Sequence, residues 1–194
     1  MRLGFDSQQP DKSMQHKKHQ PNRYSNRNEN FVTKQEIKNV NLYFGNFQYK
    51  KHFKFLCTLH PNSQKERLEI RNAVDEKNFN VHTKNGLIYV LVMDNKIIKV
   101  GSTITPFQKR VSSYNTGKIK YRISGKNSTT NYFCLLSFLR INKDIDVYAF
   151  FPKQESANIF GTVKKIEPNP KHWEREILTN LTEQGNKPIF CTQR

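Results

Sequence analysis

The apolar and polar positions of the chain form their sharpest pattern between residues 86 and 101. Residues 87–92 are a continuous apolar run of strand length, the pair Asp94-Asn95 follows, and residues 97–101 form a second short run. Two apolar runs joined by an Asp-Asn turn predict a β-hairpin.

The pattern predicts four more elements after this hairpin. Thr105-Pro106 supplies a capping hydroxyl and a first-position proline for a helix to about Tyr114. A second helix over about 128–141, a strand over 146–151 and a last helix from Asn169-Pro170 to about Glu183 complete the order β-β-α-α-β-α. We therefore predict an α+β fold with a small three-stranded, mainly antiparallel sheet flanked by helices.

Composition adds an excess of positive charge to this picture. The 194 residues include 33 Lys and Arg against 16 Asp and Glu, a net charge of +17, which indicates a polyanionic partner. Hydrophobic residues reach only 35%, yet 14 Phe and 8 Tyr bury much area each, so we expect the core to lie in part of the chain.

Neither a membrane span nor a secretion signal is indicated. No apolar run approaches the roughly 20 residues that cross a bilayer, and the first 20 residues lack an apolar core. The three cysteines, Cys57, Cys134 and Cys191, are widely spaced, which argues against a disulfide scaffold or zinc ribbon. We expect reduced thiols and an intracellular, cytoplasmic protein.

The first 85 residues differ in character from the rest. Residues 1–30 are polar and basic, which predicts a flexible arm: a disordered tail, or one that orders on DNA phosphates. Residues 31–82 alternate aromatics with lysines, which suits either a nucleic-acid surface or a half-buried strand, and 63–76 predict a helix.

Three side chains do not fit a purely structural role. Lys99 lies inside an apolar run, so it either extends to water from an edge strand or faces a pocket that receives an anion. Glu174 falls in the middle of the apolar face of the last helix, where it requires a metal or an ion pair with Arg or Lys. Arg110 lies on the shoulder of the buried stripe of its helix, one turn before Tyr114, and by itself would be an ordinary surface arginine.

Several of these residues occur in an order that resembles the GIY-YIG nucleases. Gly86-Leu87-Ile88-Tyr89 matches the first motif, and Lys99-Val100-Gly101 matches the second with lysine in place of its tyrosine. Arg110 and Glu174 follow at the expected places in helices. This replacement of tyrosine by lysine is similar to that in the small type II restriction enzymes of the family. The resemblance covers about residues 86–194.

The resemblance implies a role for each matching position. Tyr89 would accept the proton of the attacking water or orient that water, with Lys99 beside it to favour the phenolate or touch the phosphate. Arg110 would stabilise charge on the phosphate, and Tyr114 would hydrogen-bond the phosphate or the water. Glu174 would hold one divalent metal, Mg²⁺ or Mn²⁺. Gln193 stands where the family pattern ends in asparagine.

A shared pocket places a geometric demand on the hairpin. A strict two-residue turn at Asp94-Asn95 would pair positions that sum to 189 and put Tyr89 and Lys99 on opposite sheet faces. We therefore predict a longer loop or a bulge, with pairs that sum to an even number.

The resemblance also implies partners and domains. We expect a type II, sequence-specific endonuclease that cleaves double-stranded DNA as a homodimer, a bacterial enzyme with no small-molecule cofactor. Residues 31–85 would be a DNA-binding or dimerisation extension, and residues 86–194 the catalytic domain. The expected DNA-binding side chains are Lys109, Lys118, Lys120, Arg122 and Lys126.

Two other functions remain open at this point. One is a homing or structure-specific nuclease of the same family. The other is a non-enzymatic nucleic-acid-binding protein on the same scaffold, which would explain the charge but not a carboxylate among apolar residues.

Overall fold

The structure of the protein is a computed structural model. It describes residues 31–74, 86–118, 121, 129–166 and 168–191. The helices are α1 (Lys34–Lys38), α2 (Phe107–Asn115), α3 (Thr129–Ile141) and α4 (Pro170–Glu183). The strands are β1 (Lys54–Asn62), β2 (Arg67–Arg71), β3 (Leu87–Met93), β4 (Lys96–Thr103), β5 (Ile145–Phe150), β6 (Glu155–Ile159) and β7 (Thr162–Ile166). Short 3-10 turns cover Phe44–Asn46 and Lys50–His52.

The main sheet has five strands in the order β2-β1-β5-β3-β4, and every neighbouring pair is antiparallel. β6 and β7 pair with each other in a separate two-stranded sheet. The predicted α+β class and the mainly antiparallel sheet are confirmed, whereas the predicted count of three strands is too low.

The burial of both faces of β3 explains why its sequence is a continuous apolar run. All seven residues of the strand are buried, because apolar groups cover both sheet faces. On one face Tyr89 and Leu91 join a core with side chains of α2 and α3. On the other, Ile88 and Val90 pack with Ile177 of α4 and with aromatic residues from the 42–53 segment. A strand covered on both faces has no reason to alternate with polar residues.

The β3–β4 hairpin contains the predicted bulge. Its turn is tight, since Asp94 and Asn95 both have positive φ, the geometry that two-residue hairpins favour. The register then shifts between Leu91 and Val92, so that Tyr89 pairs with Gly101 and Leu91 with Lys99. Tyr89 and Lys99 therefore share one sheet face, and the pairs beyond the bulge sum to 190 as required.

The helices and strand predicted after the hairpin are confirmed. α2, α3, β5 and α4 all lie within a residue or two of their expected bounds. Asn169 caps α4 by accepting hydrogen bonds from the backbone N–H groups of Lys171 and His172. The start of α2 differs in detail, because Pro106 is itself the N-cap residue and no side chain caps the helix.

The region before the hairpin was predicted less well. The expected helix over 63–76 is wrong: residues 67–71 form β2, which pairs with β1, and residues 75–76 lie outside the described chain. Phe44, Phe47 and Phe53 are buried, so these aromatics belong to the core rather than to a nucleic-acid surface. Residues 1–30, the predicted arm, lie outside the described residues.

β1 and β2 come from the predicted extension but lie in the same sheet as the hairpin. The expected boundary after residue 85 therefore does not separate two sheets, and the core continues across it. Within the described residues, no helix has the length and apolar character that crossing a bilayer requires.

The outer strand β2 is held by a side chain of α2. Asn115 Oδ1 accepts a hydrogen bond from the Leu68 backbone N–H at 2.7 Å, and its Nδ2 donates to the Leu68 carbonyl at 3.0 Å. The amide thus replaces a missing neighbouring strand at one position of the sheet edge.

We predict that Asn115→Ala lowers the free energy of unfolding by about 1–3 kcal/mol, because two partly buried backbone groups lose their partners. Urea unfolding of the variant measures this change. Asn46→Ala, at an exposed position, is the matched control and should change stability by less than about 0.5 kcal/mol. Equal effects of the two substitutions would contradict the edge role of Asn115.

Candidate active site

Three of the residues predicted for the site are in direct contact. The hydroxyl oxygens of Tyr89 and Tyr114 are 2.7 Å apart, and Arg110 Nε donates to the Tyr89 hydroxyl oxygen at 2.9 Å. The Arg110 guanidinium also lies 4.9 Å from the centre of the Tyr114 ring. Because Arg110 and Tyr114 are one turn apart on α2, the helix presents both to the strand that carries Tyr89.

Gly101 makes room for this arrangement. A Cβ at Gly101 would lie 2.4 Å from both the ring carbon Cζ and the hydroxyl oxygen of Tyr89. The tyrosine ring therefore lies across the backbone of β4, and Phe107 packs against it edge-on with ring centres 5.2 Å apart. The glycine of the second motif thus allows the tyrosine of the first motif to cross β4.

Burial sets the charge state of this cluster. Tyr114 is fully buried, and the loss of water together with the nearby Tyr89 raises the pKa of its hydroxyl well above the usual value. Burial opposes the charge on Arg110, but the adjacent Tyr89 and Tyr114 hydroxyl groups outweigh it and raise the pKa of the guanidinium. At neutral pH the cluster therefore contains a neutral Tyr114 and a permanent cation.

Lys99 is buried although it lies on the edge strand β4. Its side chain is 7% exposed, and Nζ donates to the Phe190 carbonyl at 3.0 Å instead of extending to water. Within the described ranges, no carboxylate is close enough to form an ion pair with Lys99. The lysine therefore brings a positive charge into the fold without an acidic partner there.

Glu174 is half-buried on α4. Its Oε2 accepts a hydrogen bond from the Ser102 hydroxyl at 2.5 Å, and Ser102 follows Gly101 along β4. Among the described residues its side-chain partner is thus a hydroxyl rather than the Arg or Lys of a structural ion pair. The carboxylate also borders an open cleft of about 550 Å³, whose lining includes Lys171, Arg175 and Lys187.

The charges of Lys99, Arg110 and Glu174 influence the pKa values of two buried thiols. Burial raises the pKa of Cys134, and both Lys99 and Arg110 oppose that increase. Burial likewise raises the pKa of Cys191, which Lys99 lowers and Glu174 raises further. Four of the five described residues predicted for the site, Tyr89, Lys99, Arg110 and Tyr114, lie on one face of the sheet. Glu174 contacts β4 at Ser102, which follows Gly101 and points to the other face.

The C-terminal segment closes the edge of the sheet at this region. Phe190 N–H donates to the Ile98 carbonyl at 3.0 Å, and Val100 N–H donates to Cys191 Sγ at 3.3 Å. These bonds occupy backbone groups that an edge strand would otherwise leave open, and they hold the carbonyl that binds Lys99.

Comparison with solved structures identifies proteins with a similar fold. The fold is similar to that of "Restriction endonuclease HPY188I in complex with product DNA", with 44% sequence identity and a TM-score of 0.62 over 88% of this chain and 98% of that one.

The chain belongs to the family of restriction endonuclease HPY188I.

A second, weaker similarity is to a mutant form of endonuclease II of bacteriophage T4, with 16% identity and a TM-score of 0.48 over 72% of this chain and 93% of that one. No protein-family model and no curated protein sequence matches the chain. Membership in the HPY188I family therefore rests on the first comparison.

The predicted DNA-binding residues of this HPY188I-family chain differ in exposure, and three of them lie outside the described residues. Lys109 is exposed on α2 next to Arg110. Lys118 is half-buried, and its Nζ donates to the Lys65 carbonyl at 3.3 Å and lies 3.8 Å from Glu66 Oε2. Lys120, Arg122 and Lys126 lie outside the described residues, as does Gln193. The DNA-binding role of all five cations stays a prediction.

Three partners of the site were not found from the sequence. Ser102 binds Glu174, the Phe190 carbonyl binds Lys99, and Cys191 lies near both charged groups. A backbone carbonyl leaves no trace in the residue type, and the serine and cysteine have no neighbours in the sequence that mark them. In the HPY188I-family fold these contacts arise only when α4 and the C-terminal segment pack on β4.

We predict that Gly101→Ala lowers the free energy of unfolding by about 1–3 kcal/mol, since the packed ring of Tyr89 cannot move aside easily. Chemical unfolding measures the change, and Gly45→Ala is the control because a Cβ there meets nothing closer than 3.9 Å. If Gly101→Ala is as stable as Gly45→Ala, the Tyr89 ring does not lie across β4 as described.

Proposed function

We propose that this chain is a DNA endonuclease of the GIY-YIG type, which hydrolyses phosphodiester bonds of double-stranded DNA at a specific sequence as a type II restriction enzyme. Its membership in the HPY188I family supports the endonuclease activity. The observation that carries the proposal is the contact of Arg110 with the Tyr89 hydroxyl. Lys99 is buried on the same sheet face as Tyr89, and Glu174 binds the Ser102 hydroxyl of the same strand as Lys99. A net charge of +17 suits a DNA substrate.

Tyr89 is the proposed proton acceptor. Because Tyr114 keeps its proton, it can donate to the Tyr89 oxygen while Arg110 Nε donates to the same atom. Two donors aimed at one phenol oxygen stabilise negative charge there. As the phenolate, that oxygen would orient the attacking water and take its proton, which leaves Tyr89 as a neutral phenol. The water oxygen would bond to phosphorus while the bond from phosphorus to the leaving 3′ oxygen breaks.

Arg110 and Lys99 supply fixed positive charge for the phosphate. Negative charge on a phosphodiester increases during attack, and cations held in place before the reaction stabilise it without reorganisation. Both cations are drawn out of water by the fold, and among the described residues neither is paired with a carboxylate. Lys99 Nζ donates to a carbonyl, and Arg110 Nε donates to the Tyr89 oxygen, which is neutral once it has taken the water's proton. Their charge therefore remains for the substrate.

Glu174 and Ser102 provide a hard oxygen donor set that fits Mg²⁺ or Mn²⁺. A carboxylate and water are the ligands that Mg²⁺ takes in nucleic-acid enzymes, and Glu174 borders a cleft that water can enter. Glu174 is the proposed protein ligand, because its carboxylate contacts a hydroxyl rather than a cation among the described residues. A bound metal ion would polarise the phosphate and stabilise the leaving oxygen.

The proposed enzyme acts as a homodimer on a palindromic DNA sequence. Two copies related by a two-fold axis place one active site on each strand of a symmetric sequence. Incubation of the protein with plasmid DNA and Mg²⁺, followed by mapping of the ends, tests the function. Discrete fragments support a restriction enzyme, a smear indicates nicking without specificity, and intact plasmid would contradict the proposed activity.

We predict that Glu174→Gln abolishes Mg²⁺-dependent cleavage while DNA binding, measured by gel shift, stays close to that of the wild type. The amide keeps the shape of the side chain but loses the charge that holds the cation. Glu176→Gln, an exposed position on the same helix, is the matched control and should cleave normally. Cleavage by Glu174→Gln at the wild-type rate would contradict the metal assignment.

Tyr89→Phe and Arg110→Ala should each lower the single-turnover rate by about 10²-fold or more. Phenylalanine keeps the buried ring but removes the oxygen that would accept the proton. Gln108→Ala, an exposed position on the same helix, should leave the rate unchanged. A loss confined to KM in both variants would show that these groups bind the substrate without acting on the reaction.

A further inference from the structure

The β6–β7 hairpin is unusual because its tip is aromatic and fully exposed. The relative exposure of Phe160 is 103%, and Val163 beside it is 72% exposed. Every residue of β7 is exposed, and β6 and β7 pair only with each other among the strands of the described chain. A hydrophobic side chain gains nothing for folding in this position.

The tip also adopts a strained backbone. Phe160 and Gly161 are the two turn residues, and both have positive φ, 52° and 79°. Two-residue turns of this kind favour Asn-Gly, since asparagine tolerates the left-handed region and a bulky aromatic does not. Phe160 therefore costs stability through its backbone as well as its exposure, which indicates a role outside the folded core.

The hairpin originates beside the candidate active site. β5 ends at Phe150, which pairs with Ile88, and Ile88 pairs with Ser102, the residue that binds Glu174. At its other end the segment enters α4 at Pro170, one turn before Glu174. Trp173 packs edge-on against Phe150 with ring centres 5.9 Å apart and ties the two ends together.

The charges of the hairpin suit DNA better than a protein surface. Lys164 and Lys165 are adjacent on β7 and therefore point to opposite faces of the ribbon. Neither face is uniformly apolar: Ile159 lies opposite Thr162, and Val163 lies opposite Asn158. A nucleic-acid groove presents phosphates on both sides, which matches one lysine on each face of the ribbon.

We propose that the β6–β7 hairpin enters the major groove of duplex DNA next to the cleaved bond, with Phe160 in apolar contact with the bases and a lysine directed at each phosphate wall. Five residues per strand give an arm of roughly 16 Å, and a two-stranded ribbon fits a groove about 12 Å wide. The inference rests on the proposed function, because it takes DNA as the substrate of the neighbouring site.

The test separates stability from binding by means of Phe160→Asn. Asparagine restores the preferred turn, so the thermal midpoint should stay the same or rise, while affinity for a short duplex should fall about ten- to hundredfold. The duplex carries a site that the wild type cleaves, or mixed sequence if none is found, and binding is measured with Ca²⁺ in place of Mg²⁺. Val74→Ala, an exposed apolar position on the far edge of the sheet, should leave affinity unchanged.

Substitution of the two hairpin lysines should change the salt dependence of DNA affinity. Lys164→Ala and Lys165→Ala should each reduce the slope of log affinity against log salt by about one, and Phe160→Asn should not change that slope. Lys143→Ala is the control, because Lys143 pairs with Asp94 at the opposite end of the β3–β4 hairpin. Its salt slope should equal that of the wild type.

Two results for Phe160→Asn would overturn the proposal. One is DNA affinity equal to that of the wild type, whether or not the variant changes from dimer to monomer without DNA. The other is a thermal midpoint below that of the wild type. A wild-type protein that binds duplex but never cleaves it would refute the endonuclease and leave the hairpin intact. Conversely, cleavage and binding by Phe160→Asn at wild-type levels would refute the hairpin alone.

Discussion

The bulge in β4 is the constraint on which the site depends. A tight Asp94-Asn95 turn without it would send Tyr89 and Lys99 to opposite faces of the sheet, because side chains alternate along a strand. One extra residue restores a common face and brings Gly101 opposite Tyr89. The tyrosine then crosses the space that the missing Cβ leaves, and α2 supplies Arg110 and Tyr114 to its hydroxyl. A local irregularity of the backbone thus decides which groups can meet.

Buried positive charge is the second theme of this structure. Lys99 and Arg110 lie in regions from which water is largely removed, and among the described residues neither is paired with a carboxylate. Such an arrangement costs folding free energy, since a charge paired with an acid would be better compensated. A substrate phosphate would supply the missing negative charge. The folded protein would then attract the phosphate with cations that are already in position.

The proposed chemistry and the proposed DNA contact share one support. Ser102, Ile88 and Phe150 form a row across three adjacent strands, with the carboxylate of Glu174 at one end and the base of the β6–β7 hairpin at the other. Trp173, which precedes Glu174 on α4, packs against Phe150 at the end of this row.

Elements with one consistent pattern were predictable from the chain. β3, α3 and α4 carry apolar periodicities that match their burial, and α4 has both its asparagine cap and its first-turn proline. The 63–76 segment was not predictable, because Leu68 and Ile70 follow strand spacing while Val74 lies four residues beyond Ile70, as in a helix. Pairing with β1 decides the matter, and no local pattern contains that information.

The candidate site divides in the same way. Lys99 and Glu174 stood out in the sequence because a charge inside an apolar stripe is costly. Tyr89, Arg110 and Tyr114 were selected by the order of motifs that resembles the GIY-YIG nucleases. Tyr89, Arg110 and Tyr114 contact one another, whereas Lys99 and Glu174 bind a backbone carbonyl and a serine that lie far from them in the sequence. A one-dimensional pattern records which side chains must be compensated, but packing of the C-terminal segment and α4 on β4 chooses what compensates them.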